Sequence, residues 1–204
     1  MRTITTLFFS IVLLTLIACE DKQNEKHFPE TNNTEIVTKK DLKKNTSDIN
    51  HSQYPDTFTI KNSQKKSYTF SILDKNLHSN SFLKKTIVLN ISHVTSAESL
   101  DQMESLSKIQ TRYQSNVVII SLLLGDTKNI STPNIFLNRH HIYHFVSFSD
   151  ENEKIANKLY ASLHIKNKAM PLTIIYKGGQ YYSHFDGITP MEMINHDITQ
   201  ANKE

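Results

Sequence analysis

Cysteine is nearly absent from this chain: its 204 residues include a single one, Cys19. No intramolecular disulfide and no cysteine-rich metal site can therefore form. Tryptophan is missing altogether and glycine is held to 4 residues, which leaves little material for a glycine-rich phosphate-binding loop. Charge of one sign is not in excess either, with 23 basic against 20 acidic side chains and a net charge of +3. That balance does not supply the concentrated basic face nucleic acid requires, and no nucleic-acid partner is expected. Long apolar runs are also wanting. The stretch 7–17, about 11 residues, falls short of the about 20 that a bilayer-spanning helix needs. A hydrophobic content of 38% is low for the length, so part of the chain adds little to a core. The length fits one ordinary domain plus a shorter piece.

The chain opens with Arg2, then the apolar stretch, then Leu16-Ile17-Ala18-Cys19 followed at once by polar residues. A basic start and a core of this length have the form of an export leader. The four residues resemble the lipobox of bacterial lipoproteins, in which the cysteine is acylated. The resemblance implies a leader over 1–19, lipidation at Cys19, and an anchor in the lipid bilayer on the periplasmic side of the cell envelope. Each buried methylene contributes about 0.8 kcal/mol, so two or three acyl chains make release negligible. Acylation also consumes the chain's one thiol. Residues 20–54 are rich in Lys, Asn, Thr, Asp and Ser, with isolated apolar residues at Phe28, Ile36, Val37, Leu42 and Ile49. Neither helical nor strand periodicity survives there, and the expectation is a disordered polar tether. Its root-mean-square reach would be about 30–35 Å.

From residue 55 to 204 the pattern is that of one domain. Residues 57–60 and 68–72 alternate apolar and polar, predicting an N-terminal β-hairpin. The runs 86–91 and 117–124 are short and β-branched, as in strands covered on both faces. Leu100, Met103, Leu106, Ile109 and Tyr113 recur at spacings of three and four, predicting an amphipathic helix over 99–113. A short helix is expected over 135–141, a strand over 144–148, a helix over 153–163 and a closing helix over 191–198. Strands 172–176 and 181–185 flank Lys177-Gly178-Gly179-Gln180, a hairpin turn. Alternating strands and helices followed by a hairpin make the class α/β, a mixed central sheet flanked by helices.

Several short stretches in this order resemble the TlpA-type thioredoxin-like family, exported disulfide reductases that are often lipoproteins. Val88-Leu89-Asn90-Ile91 sits where that family has its central strand, and Met103 falls on the methionine of Cys-x-x-Cys-x-x-x-Met. Met170-Pro171-Leu172-Thr173 matches the loop carrying a cis-proline, and Gly178-Gly179-Gln180 and Phe185-Asp186-Gly187 match the hairpin that follows. The resemblance spans about residues 57–198 and implies a thioredoxin-like fold. It implies further that Met170 and Pro171, with His93 beside them, face an extended peptide or protein partner. Methionine at that position supplies adaptable apolar contact.

The same ungapped register places Ser96-Ala97-Glu98-Ser99 on the Cys-x-x-Cys, so both thiol positions carry serine. Disulfide exchange needs a thiolate, and a helix N-terminus cannot ionise a serine hydroxyl as it does a thiol. The expectation is a domain without catalysis and without a cofactor, binding an unknown envelope protein or peptide. Ser96 with His93 and Glu98 could be read as a nucleophile and its base. The preferred reading is a capping box, Thr95-x-x-Glu98, in which threonine satisfies a helix amide. His140, His141 and His144 form a His-His-x-x-His cluster that could hold zinc or copper on a continuous helix. The strand expected from 144 breaks that geometry, and polar residues at a helix end are the preferred reading. An accessory role in an envelope thiol–disulfide or cytochrome-maturation system stays open as an alternative, as does histidine-based metal binding.

Overall fold

The computed structural model describes residues 56–203. Cys19, the leader over 1–19 and the tether over 20–54 lie outside the described residues. Among the described residues no helix is long and apolar enough to cross a membrane.

Two sheets organise the domain. Strands β1 (Thr57–Lys61), β2 (Ser67–Leu73) and β3 (Asn76–His78) form an antiparallel three-stranded sheet in that order. The expected hairpin is its first two strands. β3 was not anticipated, because three residues with polar ends carry no readable alternation; a tight turn with Asp74 at φ 53° folds them back. The second sheet has the order β6-β5-β4-β7-β8, with β4 Thr86–His93, β5 Val117–Leu124, β6 Phe145–Ser147, β7 Leu172–Lys177 and β8 Gln180–Asp186. β4, β5 and β6 run parallel, β7 lies antiparallel to β4, and β8 lies antiparallel to β7, which makes the sheet mixed as expected.

The helices are α1 (Ala97–Tyr113), α2 (Pro133–Arg139), α3 (Asn152–Ser162) and α4 (Met191–Ala201). α2 begins two residues earlier than its apolar pattern suggested, because Pro133 occupies the first helical position, where a missing N–H costs nothing. It stops at Arg139, and His141 at φ 52° turns the chain away from the helix. The strand expected over 144–148 shrinks to the three residues of β6, so His144 lies just ahead of it.

The central strands bury both faces, as their apolar runs required. Ile87, Leu89 and Ile91 of β4 join Val118, Ile120 and Leu122 of β5 in a core shared with α3 and the small sheet. Val88, Val117, Ile119 and Ile175 face the other way and pack on Leu106 and Ile109 of α1 and Ile194 and Ile198 of α4. Each of these fully buried aliphatics contributes about 1.5–3 kcal/mol relative to exposure. Asn90 and Ser92 share the α1 face with Val88, by the two-residue period of a strand.

β6 is too short to cover all of β5. At the uncovered start of β5 the Gln110 carboxamide takes the place of a neighbouring strand: its Nε2 donates to the Val117 carbonyl (3.0 Å) and its Oε1 accepts from the Ile119 amide (2.9 Å). One side chain of α1 thus fills the positions one residue of a parallel strand would fill.

Candidate functional site

β4 delivers its last residue, His93, to the edge of the sheet, and a short turn carries the chain into α1. Ser96 is the residue that caps this helix. Its Oγ accepts from the Ser99 amide at 3.2 Å, and its extended backbone (φ −89°, ψ 119°) is that of an N-cap. The expected Thr95…Glu98 capping box is not formed: the cap is Ser96, one residue later, and its own amide donates to the His93 carbonyl at 3.1 Å. Glu98 falls in the first turn, where the helix dipole favours a carboxylate. Thr95 is drawn away because its Oγ1 lies 3.0 Å from His93 Nδ1, and its amide donates to the same nitrogen at 3.3 Å.

Ser99 is wholly buried, and its Oγ accepts from the His93 amide at 3.1 Å. The two serines thus have structural duties: Ser96 closes the helix start, and Ser99 ties the helix back to the end of β4. His93 is held from two sides. Thr95 binds Nδ1, and Gly125 offers its bare Cα to the ring, since a Cβ there would stand 2.7 Å from Nε2.

On the neighbouring strand, Met170–Pro171 is a cis peptide bond immediately ahead of β7. Leu172 is the partner of Ile91, so Pro171 lies at the same end of the sheet as Ser92 and His93. Pro171 is buried and its carbonyl accepts from the Gly187 amide at 2.8 Å. Met170 is half-buried, and its backbone N–H and C=O make no hydrogen bond among the described residues. The loop after β8 forms a third wall. The Thr189 amide donates to Gln102 Oε1 at 2.7 Å, which pins this loop to α1. Between these two anchors Ile188 is left 59% exposed. The structure therefore brings together Ser96, Ser99, His93, Met170 and Pro171 at one end of the domain.

A solved secreted thiol-disulfide isomerase from Corynebacterium glutamicum is similar over 74% of this chain and 86% of its own, with a TM-score of 0.57 and 12% identity. A putative thioredoxin from Neisseria meningitidis matches 74% of this chain and 90% of its own, at a TM-score of 0.54 and 12% identity. The fold is thioredoxin-like. A putative thiol:disulfide interchange protein DsbE from Chlorobium tepidum agrees as well, over 72% of this chain and 94% of its own, at 0.54 and 12%. No protein-family model and no curated protein sequence matches the chain. At such identities the likeness carries the thioredoxin-like fold, and the chemistry has to be read from the residues themselves.

Within the thioredoxin-like domain the three histidines separate. His140 follows the last residue of α2, and His141 is exposed. His144 is buried, with Nδ1 2.8 Å from Ser107 Oγ and Nε2 2.7 Å from Ser121 Oγ. Both its ring nitrogens are occupied, and among the described residues no three His, Cys, Asp or Glu side chains gather as a metal would need. Polar helix-end behaviour therefore describes His140 and His141 and fails for His144.

His144 belongs instead to a buried polar chain that sequence reading missed. The Tyr143 amide donates to Ser107 Oγ (2.9 Å), and Ser121 Oγ donates to Asn90 Oδ1 (3.2 Å). Ser92 Oγ donates to the same oxygen (2.5 Å), and Asn90 Nδ2 donates to Thr173 Oγ1 (3.2 Å). Placing the imidazole proton on Nε2 gives the hydroxyls of Ser92, Ser107 and Ser121 an acceptor each, with Ser107 donating to Nδ1. The Met103 carbonyl, 3.1 Å away, is the other acceptor within reach of that hydroxyl. Burial pulls the His144 pKa from 6.5 down to about 3, so the ring is neutral in the folded domain.

Proposed function

We propose that this protein is a lipid-anchored component of the cell envelope whose thioredoxin-like domain binds an extended segment of a protein partner and exchanges no thiols. The observation that carries the reading is Met170. Its backbone donor and acceptor lack partners among the described residues, beside the loop that carries exposed Ile188 and is tied to Pro171 through the Gly187 amide. An extended peptide satisfies such groups by strand-like pairing and lays a side chain against Ile188. Serine at positions 96 and 99 supports the non-catalytic half of the reading. Neither hydroxyl forms a mixed disulfide, and both oxygens are committed to backbone amides.

A displayed library of random peptides, selected on the full chain, tests this reading. Recovered peptides should lose about tenfold or more in affinity on Ile188→Asp, which places a charge on that loop. Leu73→Asp, at a residue 48% exposed in the small sheet, should change affinity by less than about twofold. Equal losses in the two variants, or reduction of a model disulfide above the buffer rate by the protein with Cys19 removed, would count against the proposal.

The anchor is tested separately. Cys19→Ser should abolish incorporation of radiolabelled palmitate and leave the precursor with its leader uncleaved, because the modified thiol is part of the processing peptidase's substrate. A labelled or cleaved variant would refute lipidation at this residue.

A second reading is favoured by the thiol–disulfide proteins among the structural neighbours. In it the same site holds a cysteine-bearing partner for an active reductase. Peptides selected with cysteine at one fixed position would favour it.

A further inference from the structure

We propose that a groove at the opposite end of the domain from Ser96 binds an anionic glycan, a sugar chain carrying carboxylates. This site is independent of the peptide reading. It is formed where α1 ends and β5 begins, roofed by the turn between β1 and β2 and by α2, and encloses about 760 Å³. That volume lies within the range of small-ligand sites.

Its lining divides by chemistry. Val118, Leu137 and Phe145 give an apolar floor, while the rim carries carboxamides: Gln64, Gln114, Asn134 and Asn138. A carboxamide donates and accepts at once, which suits the hydroxyls of a sugar better than a purely anionic or purely apolar ligand. Asn134 and Asn138 are both exposed and lie four residues apart, on one face of α2. Tyr143, 64% exposed, stands at the mouth, where its ring can take the C–H face of a pyranose.

The charge decides which class of sugar. Lys66 and Lys85 line the groove, no Asp or Glu does, and neither lysine pairs with a carboxylate among the described residues. Lys66 Nζ rests 5.2 Å above the Tyr68 ring, which holds the cation at the wall. Two cations over an amide rim select a sugar that brings its own negative charge.

Titration calorimetry on the full chain with hexagalacturonate as probe tests this. Hexagalacturonate should bind about tenfold tighter than either its methyl ester or hexaglutamate, and the double change Lys66→Gln, Lys85→Gln should weaken it about tenfold. Asn134→Ala with Asn138→Ala should weaken it about threefold or more. Lys65→Gln with Lys84→Gln removes the same charge from exposed neighbours that do not line the groove, and should change affinity less than about twofold. Circular dichroism confirms that each variant is folded. Absence of binding, equal binding of hexaglutamate, or equal losses from the two lysine pairs would overturn the proposal.

Discussion

Gly179→Ala will destabilise the domain by about 4 kcal/mol, while the same change at Gly178 will cost about 1 kcal/mol. Both glycines sit in the turn between β7 and β8 with positive φ, 90° at Gly179 and 57° at Gly178. Conformation alone would make the two substitutions similar. Space separates them. A Cβ at Gly178 meets its nearest neighbour at 3.9 Å, whereas one at Gly179 would stand 2.2 Å from the Leu77 carbonyl oxygen. That oxygen is backbone and cannot swing aside. Relief requires β3 to move, which breaks the 2.8 Å bond from the Leu77 amide to the Gly179 carbonyl that joins the two sheets. Urea unfolding of the two variants measures the difference, and equal costs would refute the steric account.

Acid will destabilise the protein through His144. An unfolded histidine takes up a proton near its ordinary 6.5, whereas the folded ring resists it until about pH 3. The stability due to the neutral buried ring is therefore complete above pH 6.5 and is lost as the pH falls. Each unit is worth about 1.4 kcal/mol, so about 3 kcal/mol disappears between pH 7 and pH 4. Below pH 3 both states are protonated and the loss from this group ends. The groups facing the ring are the hydroxyls of Ser107 and Ser121, and neither carries a charge that could stabilise imidazolium. His144→Gln should lose about 2 kcal/mol at pH 7 from imperfect bridging, and its stability should then vary less with pH than the parent's. Urea midpoints at half-unit pH steps decide the matter. Parallel profiles would show that the acid sensitivity lies elsewhere.

The parts of the fold legible in sequence were those fixed by local periodicity. The β-branched runs at 86–91 and 117–124 are dictated by burial on both faces, and the three-four spacing from Leu100 to Tyr113 is dictated by one buried helix face. The helix start was legible in kind and misplaced by one residue. Thr95 and Ser96 are both good caps, and the choice between them rests on His93, whose ring claims the threonine. The buried polar chain was not legible: Asn90 and Ser121 lie in runs expected to be buried, but nothing local says what they bond, while Ser107 and His144 resemble ordinary surface positions. Strand register and helix packing alone place them side by side. Gln102 escaped for the same reason: its partner, the Thr189 amide, lies 87 residues away. Met170 and Pro171 were legible because a resemblance extending over many residues fixed their place, where a single proline between apolar residues would have said little.

The Gln110 carboxamide has a consequence for how the domain behaves in a crowded compartment. Bare strand edges are templates on which a second chain can grow, and a three-residue β6 leaves such an edge on the most apolar strand of the sheet. Gln110 plugs it with a side chain that is already part of a packed helix, so the plug cannot fray without the helix moving. The same helix carries Ser96 and Ser99 at its other end. An axial shift of α1 large enough to move Ser96 and Ser99 would uncover the start of β5, so the position of that helix end and the protection of the strand edge are set together.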